Sequence, residues 1–355
     1  MKAGILNVQW LNNYGAVLLA YAMQKLLDRI GVENEVIDFR PCELDENGEI
    51  PSIHKEEKGS SKGKVRKFGE FRKKFLRSSV PLIGKDGADK LGYDAFIVGS
   101  DTVWTPLCFD DVQGEVYFLD FAKKLDAKKI AWAASIGTDN ENDLNAIKER
   151  LKERLNNFDS ISVRERETVS FLRELTGRKI EHCIDPVLML DKEDYYDILP
   201  ENTEHKQKYI YMFTFDNVEE AYKTANELSK KTGLPIIANV KDVSRIENLL
   251  ENSEDDGPSE FVERIYNAEY VITDSYHGFI YSVLAKKPFV CFSRINTSIR
   301  ARNLLEDIGL SDHFADDHNK AVELLLGETD YASAYEKIMS WRQRSLDFVK
   351  DSLGM

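Results

Sequence analysis

Short apolar runs rich in β-branched residues alternate along this chain with longer stretches in which apolar positions recur every three to four residues. The runs are AGILNV (3–8), EVIDF (35–39), DAFIVGS (94–100), KIAWAAS (129–135), SISV (160–163), KYIYMF (208–213), PIIA (235–238), YVIT (270–273) and PFVCF (288–292). Strands alternating with helices predict an α/β protein with mostly parallel sheets, because parallel neighbours need a long crossover that a helix supplies. The strands outnumber those of one compact sheet, so two Rossmann-like, doubly wound halves are expected. Pro186, Pro200 and a polar run before Lys208 interrupt the pattern between them. The expected division is an N-terminal domain over 1–190, a C-terminal domain over 191–330, and a helix over 331–355 packing back on the first half. That helix shows apolar positions at Ala334, Ile338, Trp341, Leu346 and Phe348.

Composition excludes several classes. Hydrophobic residues make up 42% of the 355 positions, with 18 Phe and 15 Tyr, which is core enough to exclude a disordered chain. The formal charge of -14 excludes a broad positive field for a nucleic-acid backbone. Cys42, Cys108, Cys183 and Cys291 lie far apart, without disulfide or zinc spacing. The N-terminal segment lacks a signal-peptide apolar run, and no run reaches the roughly 18 residues of a membrane span. A reduced, cytoplasmic setting is expected. Against the acidic whole, Lys58 to Arg77 carries nine basic residues and one acid, Glu70, with Val65, Phe68, Phe71 and Phe75 at helical spacing. This is either a helix docked through its Phe face or a contact with an anionic membrane at its inner face, or with a lipid-linked acceptor.

Ligands of open α/β sheets bind beyond the carboxyl ends of the strands, and four loops are placed there. Asn12, Asn13, Tyr14 and Gly15 follow the first strand; the asparagines can cap a helix or meet a ligand, and Gly15 permits close backbone approach. Ser100 and Asp101 follow AFIV, as a capped turn or as site residues. Arg164 follows SISV, and its guanidinium matches a phosphate or carboxylate; pairing with Glu165 or Glu167 is the structural alternative. Asp274, Ser275, Tyr276, His277 and Gly278 follow YVIT, with His277 in a first helical turn that favours anions and suits acid–base work. His54, His182, His205, His313 and His318 have no comparable placement. The G-x-G-x-x-G dinucleotide fingerprint is absent.

At these residues the sequence resembles the polysaccharide pyruvyl transferase family. The matching pieces are N-N-Y-G-A-V-L (12–18), V-I-D-F-R-P (36–41), V-G-S-D-x-V-W (98–104), A-S-I-G (134–137), S-V-R-E (162–165), D-P-V-L-M-L-D (185–191) and T-D-S-Y-H-G (273–278). Thr102 stands where the family often has Gln, and Ile136 and Tyr276 where Phe is common. The resemblance implies a fold similar to GT-B glycosyltransferases, with two halves facing a cleft. It also implies transfer of the enolpyruvyl group of phosphoenolpyruvate onto two hydroxyls of a glycan or lipid-linked sugar, forming a ketal and releasing phosphate. His277 would be catalytic, with Asp101 or Asp274 as base. Arg164, Ser275, Tyr276, Gly278 and Arg300, the last in S-I-R-A-R-N-L-L, would bind the donor. Asn12, Asn13, Tyr14, Gly15 and Ser100 would contact substrate. Phosphoenolpyruvate is then a substrate, and no cofactor or metal is expected. The alternatives are a glycosyltransferase using a nucleotide sugar and a non-catalytic glycan-binding protein of the same fold.

Overall fold

The computed structural model describes residues 1–43, 61–109, 111–138, 140–201, 207–216, 218–293 and 298–355. Lys58, His54 and His205 lie outside the described residues. The first part of the chain runs β1 (Lys2–Leu6), α1 (Tyr14–Arg29), β2 (Glu33–Arg40), α2 (Lys62–Phe75), β3 (Ser78–Ile83), β4 (Ala95–Val98), α3 (Val112–Tyr117), β5 (Lys128–Ala134), α4 (Glu141–Leu155), β6 (Ser160–Val163), α5 (Arg166–Thr176) and β7 (Glu181–His182). The second runs β8 (Ile210–Phe213), α6 (Glu219–Thr232), β9 (Ile236–Asn239), β10 (Leu249–Asn252), α7 (Pro258–Asn267), β11 (Tyr270–Thr273), α8 (Tyr276–Leu284), β12 (Phe289–Phe292), α9 (Ser298–Ile308), β13 (Phe314–Ala315), α10 (His318–Leu326) and α11 (Tyr331–Leu353).

Two parallel sheets result, ordered β3-β2-β1-β4-β5-β6-β7 and β10-β9-β8-β11-β12-β13. Each starts in the middle, winds outward, then reverses, the doubly wound order with a switch point beside its first strand. That point lies between β1 and β4 in one sheet and between β8 and β11 in the other. The central strands read as continuous apolar runs because both faces are covered: every residue of β4, β8 and β12 is buried. Helix α1 is apolar almost all round, which matches thirteen of its sixteen residues being buried.

The chain divides into two compact units. The first holds the described residues of Met1–Ser60, with Arg72–Leu190 and Ser340–Met355; the second holds Ser61–Phe71 with Asp191–Met339. The division differs from the contiguous one expected. Residues 61–71 go with the second unit, where Lys67 pairs with Glu260 at 2.8 Å. The start of α11 stays there as well, since Tyr335 donates to the carbonyls of Val283 and Leu284. From residue 340 the helix belongs to the first unit: Trp341 Nε1 donates to His182 O at 3.0 Å and Ser345 Oγ accepts from Ile184 N at 2.9 Å. Its buried stripe is Ala334, Ile338, Trp341, Ser345 and Val349, whereas Leu346 and Phe348 are only half-buried. Spacings of three and four pass through Ser345, which its hydrogen bond makes tolerable in a buried position.

Helix α2 forms where the basic stretch predicted a helix. Phe68 and Phe71 are buried, each contributing about 2–3 kcal/mol of apolar burial. Two of its cations form ion pairs, Arg66 with Glu70 at 2.7 Å and Lys67 with Glu260, and Arg77, just past the helix, pairs with Asp28 at 2.7 Å. These features favour the docked reading of the stripe. Among the described residues no helix is long and apolar enough to cross a membrane.

Candidate functional site

In the first unit the loops after β1 and β4 flank the switch point. Asn13 caps α1, its side chain accepting from Ala16 N at 3.3 Å, and Tyr14 and Gly15 are buried in the first turn. Asn12 is instead held from outside the loop. Arg72, near the end of α2, donates Nε to Gln9 O at 2.7 Å, and Nη2 to Trp10 O at 3.1 Å, Leu11 O at 2.7 Å and Asn12 Oδ1 at 2.9 Å. Nothing in the sequence pattern singles out Arg72 among its basic neighbours.

After β4 the backbone is strained. Asp101 has φ +82° and Ala133, within β5, has φ +51°, a conformation that costs side-chain-bearing residues energy and is kept only where surroundings enforce it. The enforcement is visible. Asp101 O accepts from Ser135 N at 3.0 Å and Val103 N at 2.8 Å, and the carboxylate accepts from Thr102 N at 2.8 Å. The β5–β6 register shifts between Ala131 and Ala134, and Ser162 Oγ closes that bulge by accepting from Ala133 N and donating to Ala131 O.

Arg164 lies inside this assembly, its side chain 1% exposed. It donates to Asp185 Oδ2 at 2.7 Å, Ser100 Oγ at 3.1 Å and Glu165 Oε1 at 3.1 Å, and its Nη2 lies 3.7 Å from Asp101 Oδ1. Asp185 also caps the turn at 186–189 through Val187 N. This is the structural pairing, extended from Glu165 to three carboxylates. Three carboxylates and one guanidinium meet there, at the carboxyl ends of β4 and β6. In this structure Arg164 braces the loop after β4 and the turn at 186–189, through Ser100 and Asp185.

In the second unit Asp274, Ser275, Tyr276, His277, Gly278 and Arg300 come together. Asp274 accepts from Phe215 N at 2.8 Å and Asp216 N at 2.9 Å, one bond per oxygen. It thereby ties the loop after β8 to the loop after β11, across the switch point. Ser275 caps α8, accepting from Gly278 N at 3.2 Å. Gly278 is required by contact: a Cβ there would approach Thr273 Oγ1 to 2.4 Å. His277 is 8% exposed in the first turn, its ring edge-on to Tyr276 at 5.3 Å. The Arg300 guanidinium stands 6.0 Å from the centre of the Tyr276 ring. The imidazole and the guanidinium thus both border the Tyr276 ring at the start of α8.

The remaining candidates are structural. His182 Nε2 meets Arg164 O at 3.1 Å, and His313 Nδ1 meets Phe289 O at 2.8 Å, burial lowering the pKa of His313. Glu220, Asp317 and His318 lie close enough to share a cation, but Glu220 already accepts from Lys223 and from His318. Burial pushes the Cys183 thiol up to about 11, and burial with the nearby Asp274 charge pushes Cys291 up. Neither thiol is poised as a nucleophile.

The family model of polysaccharide pyruvyl transferases matches residues 13–296, well over half of the chain. The chain belongs to the polysaccharide pyruvyl transferase family. No curated protein matches it in a sequence search. Among solved structures it resembles the UDP-GlcNAc 2-epimerase of Neisseria meningitidis bound to UDP-GlcNAc, at 9% identity and a TM-score of 0.59, with 99% of each chain covered. The UDP-GlcNAc 2-epimerase of Methanocaldococcus jannaschii, in complex with UDP-GlcNAc and UDP, aligns at 14% identity over 96% of this chain and 99% of that one, with a TM-score of 0.54. The glycosyltransferase SsfS6 of Streptomyces sp. SF2575, complexed with thymidine diphosphate, aligns at 12% identity over 99% and 98%, with a TM-score of 0.51. At such identities these likenesses establish the two-sheet, GT-B-like fold alone.

The family's motif pieces fall on the features just described. V-G-S-D and S-V-R-E converge with Asp185 in the Arg164 cluster, and T-D-S-Y-H-G forms the capped start of α8. Asp185, read above only as part of a motif, joins the expected partner Glu165 in holding Arg164.

Proposed function

We propose that this pyruvyl transferase family member takes the enolpyruvyl group from phosphoenolpyruvate and places it on two hydroxyls of a sugar, in a glycan or a lipid-linked oligosaccharide. The observation that carries the reading is His277 at the capped start of α8, with the Arg300 guanidinium 6.0 Å from the neighbouring Tyr276 ring, in a chain whose family is established. The donor brings a phosphate and a carboxylate, and this helix start offers N–H groups, a dipole and a cation for one of them.

The chemistry follows from the balance. The enol methylene gains a proton and becomes a methyl group, and one sugar hydroxyl adds to the neighbouring carbon. The second hydroxyl replaces phosphate there, so the carbon–oxygen bond to phosphate breaks. Of the two hydroxyl protons, one replaces the proton spent on the methyl group and one leaves with phosphate. His277 either donates to the methylene or neutralises the leaving phosphate. Asp101 or Asp274 serves as base toward the sugar hydroxyls. Arg164 braces Asp101 from within.

The test is incubation of the purified protein with phosphoenolpyruvate and a panel of glycan acceptors, following phosphate release and the ketal adduct by mass spectrometry. Adduct formation dependent on phosphoenolpyruvate supports the reading. Transfer from nucleotide sugars instead would overturn it in favour of a glycosyltransferase.

A further inference from the structure

We propose that Arg72 is a positioning residue for acceptor recognition: it holds the loop after β1 in one conformation so that Asn12 is presented in fixed orientation. The inference rests on the proposed transferase reading for its substrate, and on the structure for its geometry.

Three consecutive carbonyls, those of Gln9, Trp10 and Leu11, turn toward one guanidinium, and the Asn12 side-chain oxygen joins them. Aligned carbonyls repel one another unless a cation lies among them, and a planar fork can serve several acceptors where an ammonium serves as a compact point. The loop is pinned from its other side by Trp10 Nε1, which donates to Tyr117 Oη at 3.0 Å, and Tyr117 in turn donates to Asn7 O at 3.2 Å. Gln9 Nε2 adds a bond to Ile37 O at 2.9 Å. Arg72 is thus the tether on the half-buried side, where Asn12 also lies. The loop sits at the switch point, where a ligand of this sheet would bind. The Arg164 cluster, at the carboxyl ends of β4 and β6 in the same sheet, is rich in carboxylates, so a neutral polyol fits this end of the sheet better than an anion.

The experiment compares the full chain with Arg72→Ala and Arg72→Lys. Hydrogen exchange by mass spectrometry reads the peptide covering residues 9–13, and phosphate release at saturating phosphoenolpyruvate reads turnover with methyl β-D-galactopyranoside as acceptor. Both variants are expected to exchange faster in that peptide, while peptides from β4 and β5 stay protected. The acceptor KM should rise at least about ten-fold, with kcat within about two-fold and the phosphoenolpyruvate KM unchanged, the pattern left by a lost binding contact. Unchanged exchange in Arg72→Ala would overturn the proposal, as would full rescue by lysine or an acceptor KM that stays put while the loop loosens. Should the wild type release no phosphate with this sugar, the transferase reading fails for that acceptor, and the exchange data alone then sustain or overturn the tether.

Discussion

Replacing Arg164 with Met should destabilise the first unit severely. The variant keeps most of the side-chain volume and removes the guanidinium from Asp185, Glu165 and the vicinity of Asp101. The Asp185 side chain is 0% exposed, so its charge has no route to water once Arg164 is gone. Breaking a buried pair in this way costs about 3–5 kcal/mol, because an uncompensated buried charge is left behind. At about 2–4 °C per kcal/mol for a unit of 150–250 residues, the midpoint of its transition should fall by about 6–20 °C. Differential scanning calorimetry at pH 7 measures it. Adding Asp185→Asn to Arg164→Met should recover part of the loss by removing the stranded charge, and the double-mutant cycle should show coupling above about 0.5 kcal/mol. A midpoint within about 2 °C of wild type, or strict additivity of the two substitutions, would refute the bracing position of Arg164.

Three further outcomes follow from particular contacts. Gly278→Ala should lose about 1–3 kcal/mol despite alanine's better helix propensity, since the new methyl must displace Thr273; chemical denaturation reports it, and a stabilised variant would contradict the contact. Cys183 should resist iodoacetamide in the native protein at pH 8 and react once denatured, as its thiol is pushed up to about 11 by burial; rapid native labelling would show that the site opens. Glu220 is held down at about 2, first by Lys223 and then by His318, so its contribution to stability is present above the ordinary carboxylate range and fades as pH falls from about 4.5 toward 2. The stability gap between wild type and Glu220→Gln should close over that window, and a gap constant with pH would exclude the linkage.

The strands legible in the sequence are those with neighbours on both sides, whose covered faces demand continuous apolar runs. The four that are not, β3, β7, β10 and β13, are the four sheet edges. β3 contains Pro81 and is largely exposed, β10 is exposed at every residue, and β7 and β13 are two residues long. An edge strand makes one set of ladder bonds and needs no apolar run, so periodicity does not reveal it. The loops at the carboxyl ends were legible for the same reason as the central strands, because each is bounded by one. What a loop residue does was less so. Arg164 carries the same motif whether it meets a ligand or a carboxylate, and only the fold brings Asp185 to it from 21 residues away. Asp274 likewise gives no sign in the sequence that it accepts from Phe215 N and Asp216 N, 59 and 58 residues earlier. Arg72 depends wholly on tertiary contact, since its partners lie 60 to 63 residues earlier.

The central claim, that phosphoenolpyruvate is the donor and is held at the start of α8, is tested most directly by calorimetric titration of phosphoenolpyruvate into the wild type, His277→Ala and Arg300→Ala. Wild-type binding that each variant weakens at least about ten-fold, about 1.4 kcal/mol, is the predicted result. His277→Ala should keep its thermal midpoint, which separates lost binding from lost folding. Equal affinity in all three proteins, or no wild-type binding of phosphoenolpyruvate where a nucleotide sugar binds, would contradict it.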